Sequence, residues 1–110
     1  MGVTKTQDFT EEQNQVAALA KALAHPARVA ILQHLLHRQT CICGDLVEVL
    51  PLAQATVSQH LKELKAIGLI KGTVEGASVC YCIDKHQWEK MRDVFLHLFS
   101  SPVACQDNCC

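Results

Sequence analysis

The feature that most constrains the fold is the stretch from residue 51 to residue 73, PLAQATVSQHLKELKAIGLIKGT. Within it, Val57, Leu61 and Leu64 follow the spacing that places apolar side chains on one face of a helix. Gly68 stands where a glycine in the left-handed conformation commonly ends a helix. The pattern therefore predicts an amphipathic helix over residues 54–67.

The opposite face of this predicted helix is polar. It carries short hydrogen-bonding side chains and two lysines, rather than the ladder of glutamates and lysines typical of a merely solvated helix: Gln54, Thr56, Ser58, Gln59, Lys62 and Lys65. Upstream, residues 45–50 are predicted to form a short helix that stops before Pro51. A short helix, a tight turn and a polar-faced second helix make up the helix-turn-helix, whose second helix enters the DNA major groove. The alternative is an ordinary packing helix with a solvated outer face.

Two short β-prone runs follow the predicted helix, at residues 69–73 and 78–83. The segment between them, residues 74–77, contains Gly76, so the runs are predicted to form a hairpin. A hairpin directly after a recognition helix is a wing. The predicted fold class is mainly α with a small β-hairpin, a winged helix-turn-helix.

The remaining helices are predicted from their boundaries. Thr10, followed by two glutamates, is a typical helix start. Pro26 suits the first position of a second helix, which runs to about Arg38. The apolar pattern resumes in a last helix from Lys85, with Trp88, Phe95 and Leu98 on a stripe that is predicted to be core. The predicted organisation is a mobile N-terminus at 1–9, one DNA-binding and dimerisation domain at 10–100, and a cysteine-rich tail at 101–110.

Composition excludes several classes of protein. No apolar run reaches about 18 residues and no secretory signal begins the chain, so a cytoplasmic location and no membrane partner are predicted. The net charge of −1 is not that of a basic nucleic-acid binder. Residues 54–73, however, hold three lysines against one glutamate. No acid–base pair, phosphate loop or oriented nucleophile is evident, so the chain is predicted not to be an enzyme.

Seven cysteines are the second strong signal. Thiolates are soft ligands that select ions such as Zn(II), Cu(I) and trivalent arsenic. Cys41 and Cys43 precede the predicted helix-turn-helix, and a flexible tail could bring its thiols to them at modest entropic cost. The tail cysteines are Cys105, Cys109 and Cys110. The alternative to metal binding for Cys41 and Cys43 is that they are small buried hydrophobic residues. For the tail cysteines the alternatives are oxidation or passive exposure to solvent.

Cys80 and Cys82 flank Tyr81 in the second wing run and would point to the same face of a strand. They are predicted to be buried filler.

The segments KALAHPARVAILQHLL and LPLAQATVSQHLKELKAIGLIKG resemble the ArsR/SmtB family of winged-helix, metal-responsive repressors. The resemblance runs from about residue 15 to about residue 100. It implies a homodimer in which the first and last helices pack across a two-fold axis, and double-stranded operator DNA as partner. The residues that would contact DNA are Gln54, Thr56, Ser58, Gln59, Lys62 and Lys71.

The resemblance also suggests where an inducer would bind. Arsenic-responsive members carry Cys-x-Cys-Asp-Leu-Cys before the recognition motif. Here the Cys41/Cys43 pair lies one residue early relative to Asp45-Leu46, and Val47 stands in place of the third cysteine. Other members use a vicinal pair near the C-terminus. The predicted site draws three thiolates from Cys109, Cys110 and one of Cys105, Cys41 or Cys43.

A competing zinc site would follow the pattern of zinc-sensing members. It would use Asp84, His86 and His97, but Ser100 occupies the position of the fourth ligand. The predicted function is a DNA-binding repressor released by a thiophilic metal or metalloid, As(III) first, with no obligatory cofactor. The alternatives are a thiol-redox or persulfide sensor, a zinc sensor, or a metal-buffering protein without DNA binding.

Overall fold

The computed structural model describes residues 6–38, 41–43, 50–75 and 78–104. In these residues the helices are α1 (Glu11–Ala22), α2 (Pro26–Arg38), α3 (Gln54–Ile67) and α4 (Lys85–Phe99), and a 3-10 turn covers Thr6–Asp8. The strands are β1 (Ile42–Cys43), β2 (Ile70–Glu75) and β3 (Ser78–Ile83). The winged helix-turn-helix prediction is confirmed. Most of the short helix predicted at residues 45–50 lies outside the described residues.

Local signals set the helix starts. The Thr10 hydroxyl accepts a hydrogen bond from the Gln13 amide at 3.1 Å, and the Gln13 side chain accepts one from the Thr10 amide at 2.9 Å. This reciprocal capping box satisfies two amides at the start of α1. Pro26 is the first residue of α2, as predicted.

The C-terminal end of α3 also follows the prediction. Gly68 has φ of 91°, the left-handed conformation that costs a residue with a Cβ. The Leu69 amide donates to the Leu64 carbonyl at 3.2 Å, which closes the helix end and turns the chain into β2. Val57, Leu61 and Leu64 are buried, so the predicted apolar face of α3 is confirmed.

The three strands form one antiparallel sheet in the order β1-β3-β2. The predicted hairpin is confirmed, but β2 continues through Glu75, which pairs with Ser78, so the turn is shorter than predicted. Strand β1 was not predicted: the sequence placed Cys41 and Cys43 directly before a helix. Instead, β1 adds to the outer edge of β3 and buries Ile42 in the core. Pairing and burial both stabilise this short strand.

The core lies between the helices and the inner face of the sheet. Its buried side chains come from α1, α2, α3 and the sheet: Leu19, Ile31, Leu32, Leu35, Ile42, Val57, Leu61, Leu64, Leu69 and Ile70. Helix α4 covers this core with Trp88, Met91 and Phe95 but contains no buried residue. Its apolar stripe was predicted to be core, but Leu98 is exposed and is not among the α4 side chains that pack against the core.

Helix α1 packs against α4 and α3, α2 packs against α3 and β3, and α3 packs against β2. In the part of the chain that the structure describes, no helix is both long and apolar enough to cross a bilayer.

Candidate nucleic-acid interface and thiol sites

The polar face of α3 is presented to solvent. All six predicted DNA-contacting residues are exposed: Gln54, Thr56, Ser58, Gln59, Lys62 and Lys71. Five of them lie on α3 and Lys71 lies on β2 of the wing. The Gln59 amide donates to a Glu63 carboxylate oxygen at 3.1 Å, a surface bond that can be exchanged for a contact with a base. The buried face fixes α3, so these side chains project from a rigid support.

The N-terminal end of α3 is open to an anion. Its N-cap residue is Ala53, which makes no side-chain capping bond. The Ala53 carbonyl accepts from the amides of Thr56 and Val57 at 3.0 and 3.1 Å, and the amides that precede them have no partner in the helix ladder. A phosphate oxygen could satisfy these amides and would interact favourably with the positive end of the helix dipole.

A part-buried contact ties α3 to the first two helices. The Arg28 Nε donates to His60 Nδ1 at 3.0 Å, and a second Arg28 nitrogen donates to the Ala22 carbonyl at 3.3 Å. The His25 ring centroid lies 5.5 Å from that of His60. Burial, then the Arg28 charge, then His25 lower the pKa of His60, so that it accepts as the neutral imidazole.

Two free thiols lie together at the β1–β3 edge. The Cys41 thiol is exposed and the Cys82 thiol is half-buried. Burial first, and then a hydrogen bond with Cys41, raise the pKa of Cys82 above its usual value. The positive charge of Lys71, which is opposite Cys82 in the β2–β3 register, lowers the pKa of Cys82 and so opposes this rise. Cys82 is therefore largely a neutral thiol at pH 7.

The prediction that Cys80 and Cys82 are buried filler is confirmed only for the burial of Cys80, because Cys82 is half-buried with a free thiol. Cys80 is fully buried, as expected, but it is disulfide-bonded. The residue opposite it in the β1–β3 register is Cys43. The sequence held a signal for this arrangement, because residues 41–43 and 80–82 are both Cys-x-Cys motifs. When such a motif is a strand, its two thiols lie on the same face of that strand.

The structure describes only part of the predicted thiolate set. Cys105, Cys109 and Cys110 lie outside the described residues, and only the backbone of Cys43 is described. The three-thiolate site therefore stays a prediction. Within the part of the chain that is described, no three histidine, cysteine or acidic side chains are grouped to hold a metal ion.

The alternative zinc ligands are dispersed along α4. Asp84 caps the helix, accepting from the Gln87 amide at 3.3 Å, and His86 is exposed in the first turn. His97, near the other end, bonds Glu12 of α1 at 2.6 Å, a contact that raises its pKa. At 1.5 Å per residue, His86 and His97 are about 16 Å apart along the axis. One chain does not bring these predicted ligands together.

The fold and the exposed polar face of α3 define a winged helix-turn-helix protein. A family model described as "Helix-turn-helix domain" matches residues 23–73. The chain is 44% identical over 68 residues to the HTH-type transcriptional repressor SmtB of Mycobacterium tuberculosis (strain ATCC 25618 / H37Rv). That match covers 62% of this chain, which spans only 50% of the repressor's length.

Two further comparisons cover more of the chain. The cadmium resistance transcriptional regulatory protein CadC homolog of Staphylococcus aureus is 37% identical over 99 residues, covering 86% of this chain and 81% of that protein. The structure of HlyU from Vibrio cholerae N16961 aligns with a TM-score of 0.66 at 28% identity, covering 84% of this chain and all of HlyU. The chain belongs to the ArsR/SmtB family, whose members are non-enzymatic transcriptional regulators.

Proposed function

We propose that this protein is a homodimeric repressor that binds operator DNA through α3 and the wing. A thiophilic metal or metalloid, As(III) first, would release it. The observation that carries the DNA-binding part is the division of α3 into two faces. Val57, Leu61 and Leu64 hold the helix in the core, while its glutamines, hydroxyls and lysines face solvent.

The exposed side chains suit two kinds of DNA contact, one with base edges and one with phosphates. A glutamine amide can donate to and accept from the edge of an adenine in the major groove, which suits Gln54 and Gln59. Hydroxyl and lysine side chains mostly hold phosphates and fix the register of the protein on the duplex. Thr56, Ser58 and Lys62 fit this role on α3, and Lys71 fits it on the wing.

Exposed apolar surface on α4 supports the homodimer. Leu96 and Phe99 are 53% and 76% exposed, and the Phe99 ring stacks on that of Phe95 at a centroid distance of 5.9 Å. This surface continues into an apolar cavity of about 240 Å³ between α1 and α4, lined by Leu19, Leu23, Leu69, Trp88, Met91, Arg92, Phe95 and Leu96. A second copy that covered this surface would bury it. Sedimentation should then show a dimer at micromolar concentration, and a monomer would contradict the proposal.

The inducer is proposed from the chemistry of the cysteines. Soft thiolates favour thiophilic ions, and the name of the CadC homolog connects that relative with cadmium resistance. Release requires that the ligand bind the DNA-free form more tightly than the DNA-bound form.

A second candidate, a repressor controlled by thiol oxidation, is favoured by one observation: Cys80 is disulfide-bonded close to two free thiols. Peroxide or sulfide that changed DNA affinity in metal-free buffer would support this second candidate.

The test of DNA binding is fluorescence anisotropy with a duplex taken from upstream of the protein's own coding region. Lys62→Ala should weaken binding and, with two subunits, reduce the salt dependence by about two phosphate contacts. The matched control is Lys90→Ala, which removes an exposed lysine of α4 and should change neither quantity. Equal losses in the two variants, or no binding by the unsubstituted chain, would refute the proposal.

The inducer is tested in the same assay by adding arsenite, Cd(II) or Zn(II) to the reduced protein–DNA complex under anaerobic conditions. We expect arsenite to release the DNA at a lower concentration than Cd(II) or Zn(II). Release only by an oxidant, with no response to any of the three ions, would establish the thiol-redox candidate instead.

A further inference from the structure

The antiparallel register of β1 and β3 brings two Cys-x-Cys motifs side by side. Ile42 is opposite Tyr81 and Cys43 is opposite Cys80, so the next position places Cys41 beside Cys82. The hydrogen bond between the thiols of Cys41 and Cys82 agrees with this register. Two cysteines distant in sequence are thus held as a pair by the backbone of the sheet.

We propose that Cys41 and Cys82 form a two-sulfur binding site for trivalent arsenicals. Both thiols are free and already in contact, so the pair is organised before a ligand arrives. The ligand can enter from solvent, because Cys41 is exposed and Cys82 lines an open cleft between α2 and α4. Leu35, Leu36 and Trp88 are among the other residues that line this cleft.

The reaction at this pair needs no oxidant or reductant. Arsenous acid, As(OH)₃, reacts with two thiols to give a dithiolate that keeps one hydroxyl, and releases two waters. Two S–H and two As–O bonds break, two As–S bonds form, and each thiol proton leaves on a departing hydroxyl. Arsenic stays trivalent and both sulfurs keep their oxidation state. A monosubstituted arsenical such as phenylarsine oxide reacts with the same two thiols and releases one water.

The number of ligands at the pair favours this ligand class over zinc. Among the described residues, no third histidine, cysteine or acidic side chain joins the two thiols as a possible metal ligand. Structural zinc sites usually take four protein ligands, whereas a trivalent arsenical can be held by two thiols. The hydroxyl or oxo groups of the arsenical remove the thiol protons as water.

The site lies beside the wing, which the proposed function assigns to DNA. Strand β1 precedes α3, and Cys82 lies on β3 opposite Lys71 of β2. A bridging arsenic atom would replace a hydrogen bond between β1 and the wing with covalent bonds. Any effect of this bridge on DNA affinity rests on the proposed function, whereas binding of the arsenical by the pair does not.

The first test maps the ligand on the unsubstituted chain. Phenylarsine oxide is added without DNA, and the cysteines left reactive are alkylated and located by peptide mass spectrometry. Protection of Cys41 and Cys82 together is expected. Alkylation of both residues in the presence of bound arsenical would overturn the proposal.

The second test counts ligands in full-length variants without DNA. Cys105, Cys109 and Cys110 are replaced by serine, so that any tail site is removed. Native mass spectrometry should show one phenylarsenic group per chain, with two thiols consumed. Adding Cys41→Ser or Cys82→Ser should weaken binding by roughly a hundredfold or more, because a second linked contact is lost.

A control variant separates this pair from the neighbouring one. Cys43→Ala with Cys80→Ala, in the tail-substituted chain, should still bind one phenylarsenic group, and circular dichroism verifies that it is folded. Binding lost in this folded variant, or kept in both Cys41→Ser and Cys82→Ser, would overturn the proposal. Arsenical that binds the pair but leaves a DNA complex intact would establish the site and refute arsenical-controlled release.

Discussion

Replacing Arg28 with alanine should destabilise the fold and raise the pKa of His60. Arg28 donates to His60 Nδ1 at 3.0 Å and to the Ala22 carbonyl at 3.3 Å, both in part-buried surroundings. A hydrogen bond from a charged donor contributes about 1.5–3 kcal/mol. Because one partly exposed guanidinium makes both bonds, we expect a total loss of about 2–3 kcal/mol in the free energy of unfolding.

The same substitution should change the dependence of stability on pH. The pKa of His60 is held below its usual 6.5 by burial, by Arg28 and by His25, in that order. As pH falls below 6.5, the unfolded chain therefore takes up a proton before the folded chain does, and stability decreases until the folded pKa is passed. Without Arg28 one cause of the lowered pKa disappears, so this decrease should become shallower.

The assay is urea unfolding at pH 7.5 and 5.5, with the imidazole titration followed by NMR. The control is Asp93→Asn, which breaks the exposed ion pair between Arg92 and Asp93 at 3.1 Å and should cost less than about 1 kcal/mol. Arg28→Lys keeps the charge but loses the Nε donor, so it separates the electrostatic effect from the hydrogen bond. Equal losses for Arg28→Ala and Asp93→Asn, or an unchanged pKa of His60 in Arg28→Ala, would refute the reasoning.

Three further outcomes follow from the structure. Leu64→Ala should cost about 2–5 kcal/mol in urea unfolding because Leu64 is fully buried, whereas Lys65→Ala on the exposed face should stay within about 0.5 kcal/mol. Gly68→Ala should cost about 1–2 kcal/mol through backbone strain at φ 91°, since its Cβ would meet Gln87 Cγ at an ordinary 3.6 Å; no loss would contradict the left-handed cap. His97 has a pKa raised by Glu12, so its stabilising effect is present below pH 6.5 and lost as pH rises through the folded pKa. His97→Ala should accordingly lower the melting temperature more at pH 6 than at pH 9, and the reverse order would disprove this assignment.

The elements predicted correctly are those whose signals are local. Thr10, Pro26 and Gly68 each fix a helix boundary through the conformation or bonding of their immediate neighbours. The alternation of buried and exposed residues on α3 is equally local, which is why its exposed polar side could be predicted from the sequence. The turn of the wing was placed too broadly because β-propensity does not show how far two paired strands continue.

The missed features depend on contacts between distant residues. Strand β1 has only two residues, and it is a strand because the edge of β3 is available for pairing. The Arg28–His60 bond joins residues 32 positions apart, and the sequence around either residue does not predict this contact. The repeated Cys-x-Cys motif could have predicted that Cys41 lies beside Cys82. That prediction would have required knowing that the two motifs pair with each other in the sheet.

These distant contacts explain how α3 could respond to chemistry that occurs elsewhere. α3 is held on one side by the Arg28–His60 bond to α2, and on the other by packing against β2. α2 also packs against β3, the strand that carries Cys82. A ligand that drew β1 and β3 together would therefore act on both supports of α3. The apolar contacts of Val57, Leu61 and Leu64 would stay intact, so we expect the response to be a change in the orientation of α3 and the wing rather than unfolding of α3.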